Sequence, residues 1–233
     1  MPVKDNAIYR LADALVRIRA YDFPVVLNEV TQIFFERSID LEEGDLAVAM
    51  RGVLQNPPDP SAVAYLSHIP FYNSRLRTTC IATQLEAGHA ENALPQRARA
   101  TVNCRVLPGE SIEIVQDTLE IIIGDAQVTI TPVKDAISSP ASPLTPEVLG
   151  AIETVTDELW PGVPVIPTMS TGATDGLFLR NAGIPVYGVS GLFSDITDNR
   201  AHGQNERILI KSYFEGQEFL YRLMKKLSRS DEK

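Results

Sequence analysis

Arg97-Ala98-Arg99-Ala100-Thr101-Val102-Asn103-Cys104-Arg105-Val106 puts Ala98, Ala100, Val102 and Cys104 on one side and Arg97, Arg99, Thr101, Asn103 and Arg105 on the other. Alternation with period two marks an antiparallel strand with one face in a core and one toward water. Residues 78–85, rich in β-branched side chains, read as a second strand. A turn region at 88–95 lies between the two. After the quoted strand, Pro108-Gly109-Glu110-Ser111 forms a turn and opens an amphipathic helix over 111–122, and 127–132 reads as another strand. Upstream, Ile8, Leu11, Leu15 and Ile18 recur at helical spacing over 6–21, with Asp5 or Asn6 as cap and Phe23-Pro24 as terminator. Residues 29–36 form a shorter helix. Asn56-Pro57-Pro58-Asp59-Pro60 makes 55–73 irregular, because proline cannot continue a helix or a central strand. These elements predict an α+β layer, one antiparallel sheet with its helices on one face.

Ser138-Ser139-Pro140-Ala141-Ser142-Pro143 has the composition of a linker. Beyond it the rhythm becomes α/β. A helix starts at Thr145-Pro146-Glu147 and runs to Leu159, with proline in its first turn. Short apolar strands are expected at 164–168 and 184–189, a helix at 176–181, and a closing helix at 210–227. The fold class is therefore α/β: an α+β domain over 1–135, followed by an α/β segment over 136–233.

The 233 residues carry 30 acidic and 21 basic side chains, a formal charge of −9. That balance and the lack of a basic run argue against a nucleic-acid partner. No stretch is long and apolar enough to span a bilayer, and residues 1–7 lack the apolar core of a secretory signal. Cys80 and Cys104 are the two cysteines, too few for a disulfide scaffold or a four-cysteine zinc site. Both fall in runs that read as strands, which leaves two alternatives: small buried thiols, or a bridge between neighbouring strands.

The sharpest local signal for chemistry is Ser170-Thr171-Gly172-Ala173-Thr174-Asp175-Gly176, after an expected strand and before an expected helix. Such a turn exposes backbone N–H groups suited to a carboxylate or phosphate. A plain strand-to-helix turn is the alternative, and no lysine follows the glycines as a nucleotide-binding loop would require. His202 sits in the polar loop Asp198-Asn199-Arg200-Ala201-His202-Gly203-Gln204-Asn205-Glu206. A histidine in such a loop is usually just exposed, but neutral imidazole is also the commonest nitrogen ligand of zinc. His89-Ala90-Glu91, Glu42-Glu43 and His68 have no companions that would complete a site and read as structural. No Gly-x-Ser-x-Gly elbow or His-Glu-x-x-His helix occurs.

The stretch from Asn92 through Ala93-Leu94-Pro95-Gln96 and the strand quoted above to Leu107-Pro108-Gly109 resembles the lid, or dimerisation, domain of a zinc exopeptidase family. That family comprises aminoacylase, carboxypeptidase S and succinyl-diaminopimelate desuccinylase. Residues 170–176, then Asn181-Ala182-Gly183-Ile184-Pro185, then Ala201-His202-Gly203-Gln204-Asn205-Glu206 resemble the same family's C-terminal catalytic segment, in the family's order.

The resemblance implies that His202 is a zinc ligand and that Asn92 and Arg105 contact substrate from the lid. It also implies that Gly172, Ala173 and Thr174 bind the substrate's carboxylate end through backbone amides. Asp175 is expected to cap the following helix. The substrate implied is a small peptide or N-acyl amino acid, and the expected assembly is a homodimer formed through the lid. The irregular stretch at 55–73 and the Gly88-His89-Ala90 turn favour the carboxypeptidase S-like branch.

The family holds two zinc ions through a His-x-Asp motif, a bridging aspartate, a Glu-Glu pair and a further acidic ligand, all placed before the lid. None stands in the corresponding place here. Residues 2–10 resemble the segment just after a Gly-Gly-His-Ser-Ser stretch, so Met1 reads as an internal methionine or an alternative start. With one plausible ligand for a metal that needs about three, the chain is expected to bind zinc incompletely. It is expected to be inactive alone, or to act as a non-catalytic dimerisation or ligand-binding module.

Overall fold

The structure, a computed structural model, describes residues 3–195, 198 and 200–228; Met1, Pro2 and Asn199 of the motifs above lie outside them. It contains helices α1 (Ala7–Ala20), α2 (Glu29–Ser38), α3 (Gly44–Val53), α4 (Pro60–Ser67) and α5 (Pro70–Leu76). Strands β1 (Thr79–Ala87) and β2 (Ala98–Arg105) follow, then α6 (Ile112–Ile123), α7 (Pro146–Leu159), α8 (Gly176–Asn181) and α9 (Ile210–Leu227). The chain divides into two compact units: Met1–Ala141 with Thr168–Gly183, and Ser142–Pro167 with Ile184–Lys233.

In the first unit β1 and β2 form an antiparallel pair, with Cys80 opposite Cys104 and Thr79 opposite Arg105. The two cysteines are joined as a disulfide, which resolves the two alternatives left by the sequence. The alternation read from residues 97–106 is realised: Ala98, Ala100, Val102 and Cys104 are half-buried, while Arg99, Asn103 and Arg105 are exposed. Thr101 departs from it and is half-buried. Ala14 and Ile18 of α1 pack with Val115, Leu119 and Ile123 of α6, and Cys80, Val102 and Cys104 close the cluster. Each large apolar side chain removed from water there contributes about 1.5–3 kcal/mol before entropy is counted.

Polar groups fix how these helices start, stop and join. Asn6 caps α1 by accepting from the N–H of Ile8 at 3.0 Å, a contact worth about 1 kcal/mol. Asp5, the other candidate, instead pairs with Arg10 at 2.6 Å. Arg10 also reaches Asp125 at 2.9 Å, and Arg17 donates to the Ile123 carbonyl at the C-terminus of α6. Gly124 then stops α6 in the left-handed conformation, φ 57°.

Residues 55–73 depart from expectation: they form α4 and α5 rather than an irregular stretch. Both helices carry proline in the first turn, where the missing N–H has no helical acceptor to lose. Asp59 caps α4 by accepting from the Ser61 N–H at 2.7 Å. Helix α3, which the sequence did not announce, packs on α4 so closely that a Cβ at Gly52 would lie 2.5 Å from that of Ala62.

The strands expected at 127–132, 164–168 and 184–189 do not form. A strand needs a neighbour for its N–H and C=O groups, and two of these segments turn such groups elsewhere. Gln127 donates to the Asp125 carboxylate at 2.9 Å, although Val128 and Ile130 still pack on the α1–α6 core. In the second unit the N–H of Val186 donates to the Ser142 hydroxyl at 2.9 Å, and that hydroxyl donates back to the Val186 carbonyl at 2.8 Å.

The core of the second unit is the α7–α9 pair: Ala151 and Val155 against Phe219 and Leu223, with Trp160 and Val189 beside them. Gly216 allows the segment 190–192 to lie against α9, since a Cβ there would meet the Ser190 carbonyl at 2.9 Å. No described helix is long and apolar enough to cross a membrane.

Candidate functional site

The turn at 170–176 lies in the first unit, with the hairpin and α1–α6. It opens as a hydroxyl-closed turn, the Gly172 N–H donating to the Ser170 side chain at 3.3 Å. Gly172, Ala173 and Thr174 are exposed. The Thr174 carbonyl accepts from the Leu177 N–H at 3.1 Å, which starts α8. Asp175 occupies the N-cap position, but its side chain accepts no capping hydrogen bond, so the cap role expected of it is not made. Further along, Arg180 donates to the Ser139 hydroxyl at 2.7 Å and Asn181 to the Ser138 carbonyl at 3.0 Å. These bonds fix α8 to the segment that the sequence marked as a linker.

Arg105, the last residue of β2, donates from Nη1 to the carbonyl of Thr171. Arg105 and the turn stand 66 residues apart in sequence and meet here. A guanidinium has five N–H donors, so one bond to a carbonyl leaves an edge available for a carboxylate, with paired bonds the favoured geometry.

Asn92 is exposed in the β1–β2 turn, at the other end of the hairpin from Arg105. Eight residues of β2 separate the two ends, roughly 24 Å at the rise of an extended strand. The structure therefore does not bring Asn92 and Arg105 to one point of the hairpin.

His202 belongs to the second unit. It is exposed and has φ 65°, in the left-handed region that non-glycine residues seldom adopt. The turn around it is closed by the Gly203 N–H donating to the Arg200 carbonyl at 2.9 Å. The nearby Asp198 carboxylate is engaged by Arg200 and by Arg207, the latter at 2.8 Å from Nε. Those two arginines hold its pKa below the ordinary carboxylate range.

Among the described residues no three His, Cys, Asp or Glu side chains gather into a group that could hold a metal ion. Zinc requires about three protein donors with a position left open, so the described residues do not by themselves fit a zinc centre. Of the residues that the sequence set aside as structural, His68 places Nδ1 2.6 Å from the Ala64 carbonyl one turn back.

Arg75 was missed in the sequence. It lies on α5, is 8% exposed, and donates from Nε to the Thr168 hydroxyl at 3.2 Å, two residues ahead of Ser170. Its guanidinium sits 3.7 Å from the centroid of the Phe71 ring. The spacing Phe71 to Arg75 is the i, i+4 signature of a helix face, and it was hidden because the prolines ahead of it read as helix breakers.

The chain is 26% identical over 237 residues to an N-fatty-acyl-amino acid synthase/hydrolase, PM20D1, of Homo sapiens, covering 99% of this chain and 47% of that protein. A probable carboxypeptidase S-like 2 of Dictyostelium discoideum is 28% identical, over 97% of this chain and 43% of its own length. The chain thus spans about half the length of the curated relatives it matches. Among solved structures, an M20 family metallo-carboxypeptidase from Sulfolobus solfataricus has the same fold, with TM-score 0.55 at 21% identity over 96% of this chain and 53% of that one. The sequence model of the M20 peptidase dimerisation domain matches residues 2–130, more than half of the 233, and the chain belongs to the M20 peptidase family.

Proposed function

We propose that this chain provides the carboxylate clamp of a zinc-dependent hydrolase that cleaves the amide bond of a small peptide or an N-acyl amino acid. The observation that carries the reading is the meeting of Arg105 with the 170–176 turn. In this reading the free edge of the Arg105 guanidinium takes the carboxylate of the substrate's amino-acid end. The amides of Ala173 and Thr174, joined by that of Gly172 once it leaves the Ser170 hydroxyl, complete its solvation.

The names of the relatives, a synthase/hydrolase of N-fatty-acyl amino acids and a carboxypeptidase S-like protein, favour a substrate ending in a free amino-acid carboxylate. Asn92 belongs to the reading as a substrate contact at the hairpin's other end, and His202 as one metal donor. No hydrolytic step is assigned to the described residues, since they do not gather the donors a zinc centre needs. The same observation favours a second reading, a ligand-binding and dimer-forming module without catalysis of its own.

Calorimetric titration with N-acetyl-leucine and with its neutral amide tests the clamp. The acid is expected to bind at least roughly tenfold more tightly, and Arg105→Met is expected to remove that preference, as for loss of a charge-assisted pair. Equal affinity for acid and amide in the unaltered protein would sink the reading. Zinc uptake by equilibrium dialysis, together with hydrolysis of N-acetyl-leucine, separates hydrolase from binding module. If zinc is taken up, His202→Ala is expected to lower the amount bound, and stoichiometric zinc retained by that variant would remove His202 from the ligand set.

A further inference from the structure

Arg75 is a buried cation with no carboxylate within ion-pair distance among the described residues. Burying a guanidinium without a counter-charge is costly, so its surroundings must compensate. Nη1 donates to the Phe71 carbonyl one turn back on α5. The charge lies over the Phe71 ring at 3.7 Å and near that of Phe34 at 5.2 Å, where the ring faces offer partial negative charge. The remaining directed bond, from Nε, goes to the Thr168 hydroxyl at 3.2 Å. Burial draws the guanidinium's pKa below its ordinary value, the sign expected of a cation short of anions.

What Arg75 holds is the entry to the 170–176 turn. Thr168 is bound to Arg75, the Asn28 amide donates to the Met169 sulfur at 3.8 Å, and Thr171 is bound to Arg105. Three of the four residues 168–171 are thus gripped, from α5, from the N-cap of α2 and from the end of β2. The two grips made by arginines flank Ser170, whose hydroxyl closes the turn on Gly172.

We propose that Arg75 is a positioning residue for carboxylate binding: it fixes Thr168, and through it the amides of Gly172 to Thr174, and its charge, paired with no described carboxylate, favours an anion at that turn. This rests on the reading of the turn as a carboxylate site. Arg75 itself touches no ligand in this scheme. Its effect is transmitted through the Thr168 hydroxyl and through the field of a buried charge, which low surrounding polarity screens little.

The test is a titration series on the full chain with N-acetyl-leucine and with N-acetyl-leucinamide as probes. Arg75→Met, close in shape but neutral, is expected to weaken the acid by about ten- to hundredfold and to leave the amide unchanged. Arg75→Lys keeps the charge and is expected to recover part of the loss. Thr168→Val, which removes the acceptor and keeps Arg75 and its charge, is expected to weaken the acid several-fold, and Thr168→Ser to restore it.

A folded Arg75→Met variant that binds the acid as tightly as the unaltered protein overturns the proposal. So does one that loses acid and amide in equal proportion, since that is a merely structural effect. If Arg75→Met does not fold, the Thr168 pair decides: unchanged acid affinity in Thr168→Val overturns the proposal, and loss with rescue by serine supports it. The two layers fail differently. No acid-over-amide preference in the unaltered protein overturns the carboxylate reading and this inference with it. A preference abolished by Arg105→Met but untouched at Arg75 and Thr168 overturns this inference alone.

Discussion

Single side chains here do work that no element could do for itself, and Thr78 shows how. It is 1% exposed, its hydroxyl donates to the Glu110 carboxylate, and it accepts the buried N–H of Leu107 at 2.9 Å. This one hydroxyl therefore joins the residue ahead of β1 to the turn after β2. Thr78→Val keeps the shape and leaves the Leu107 N–H without its acceptor, which is expected to cost about 1–3 kcal/mol. Urea unfolding checks it, and an unchanged midpoint would mean that the donor finds another partner. Arg75 and Arg105 extend the same logic to function. Both are guanidiniums spent largely on backbone or hydroxyl oxygens near one turn, Arg105 exposed and able to meet a ligand, Arg75 buried and able only to support it.

At the scale of elements, the β1–β2 hairpin is the piece whose geometry matters most, because its open end presents Arg105. The disulfide pairs Cys80 with Cys104, one residue inside that end, and closes a loop across a separation of 24 residues. Cross-linking a loop of that length is expected to stabilise the protein by about 3 kcal/mol. Urea midpoints with and without reductant measure it, and coincident curves would mean that the ladder alone holds the strands.

The hairpin was legible in sequence because strand alternation is local. Helices α4 and α5 were not, because proline ends a helix at one position and begins it at another. Asp59 directly before Pro60 is the local cue for α4, whereas Ile69 before Pro70 makes no side-chain cap and α5 carries no such cue. The strands expected at 127–132 and 184–189 failed for the opposite reason: their composition suits a strand, but the groups that receive Gln127 and Val186 are side chains, not a neighbouring strand.

For the molecule as a whole, two compact units share one chain, and the first takes the segment 168–183 from beyond the linker. A turn that sequence order assigns to the second half therefore belongs physically with the hairpin. Membership of the dimerisation-domain family makes self-association the expected state. Ile114 and Ile121 on α6 are 66% and 80% exposed and lie seven residues apart, two turns of one helix side, away from the buried Val115, Leu119 and Ile123. Light scattering after size exclusion is expected to give twice the chain mass. Ile121→Lys is expected to weaken association at least roughly tenfold, as for a charge buried in an interface core. A monomer at every concentration would refute dimer formation by this chain, and an unaffected dimer in the variant would place the interface elsewhere.

Residue order alone determined the local structure and the kinship. The alternation of 97–106, the helix starts at Ser111 and Thr145, the helices α1, α6, α7 and α9 and the separated motifs of the family are all properties of neighbouring residues. Only the tertiary structure decided that Cys80 meets Cys104, that Arg105 reaches Thr171 and that Arg75 reaches Thr168 across 93 residues. Short-range pattern constrains φ, ψ and which face is apolar. Which distant oxygen a buried guanidinium finds is fixed by how the elements pack, and no spacing along the chain records that.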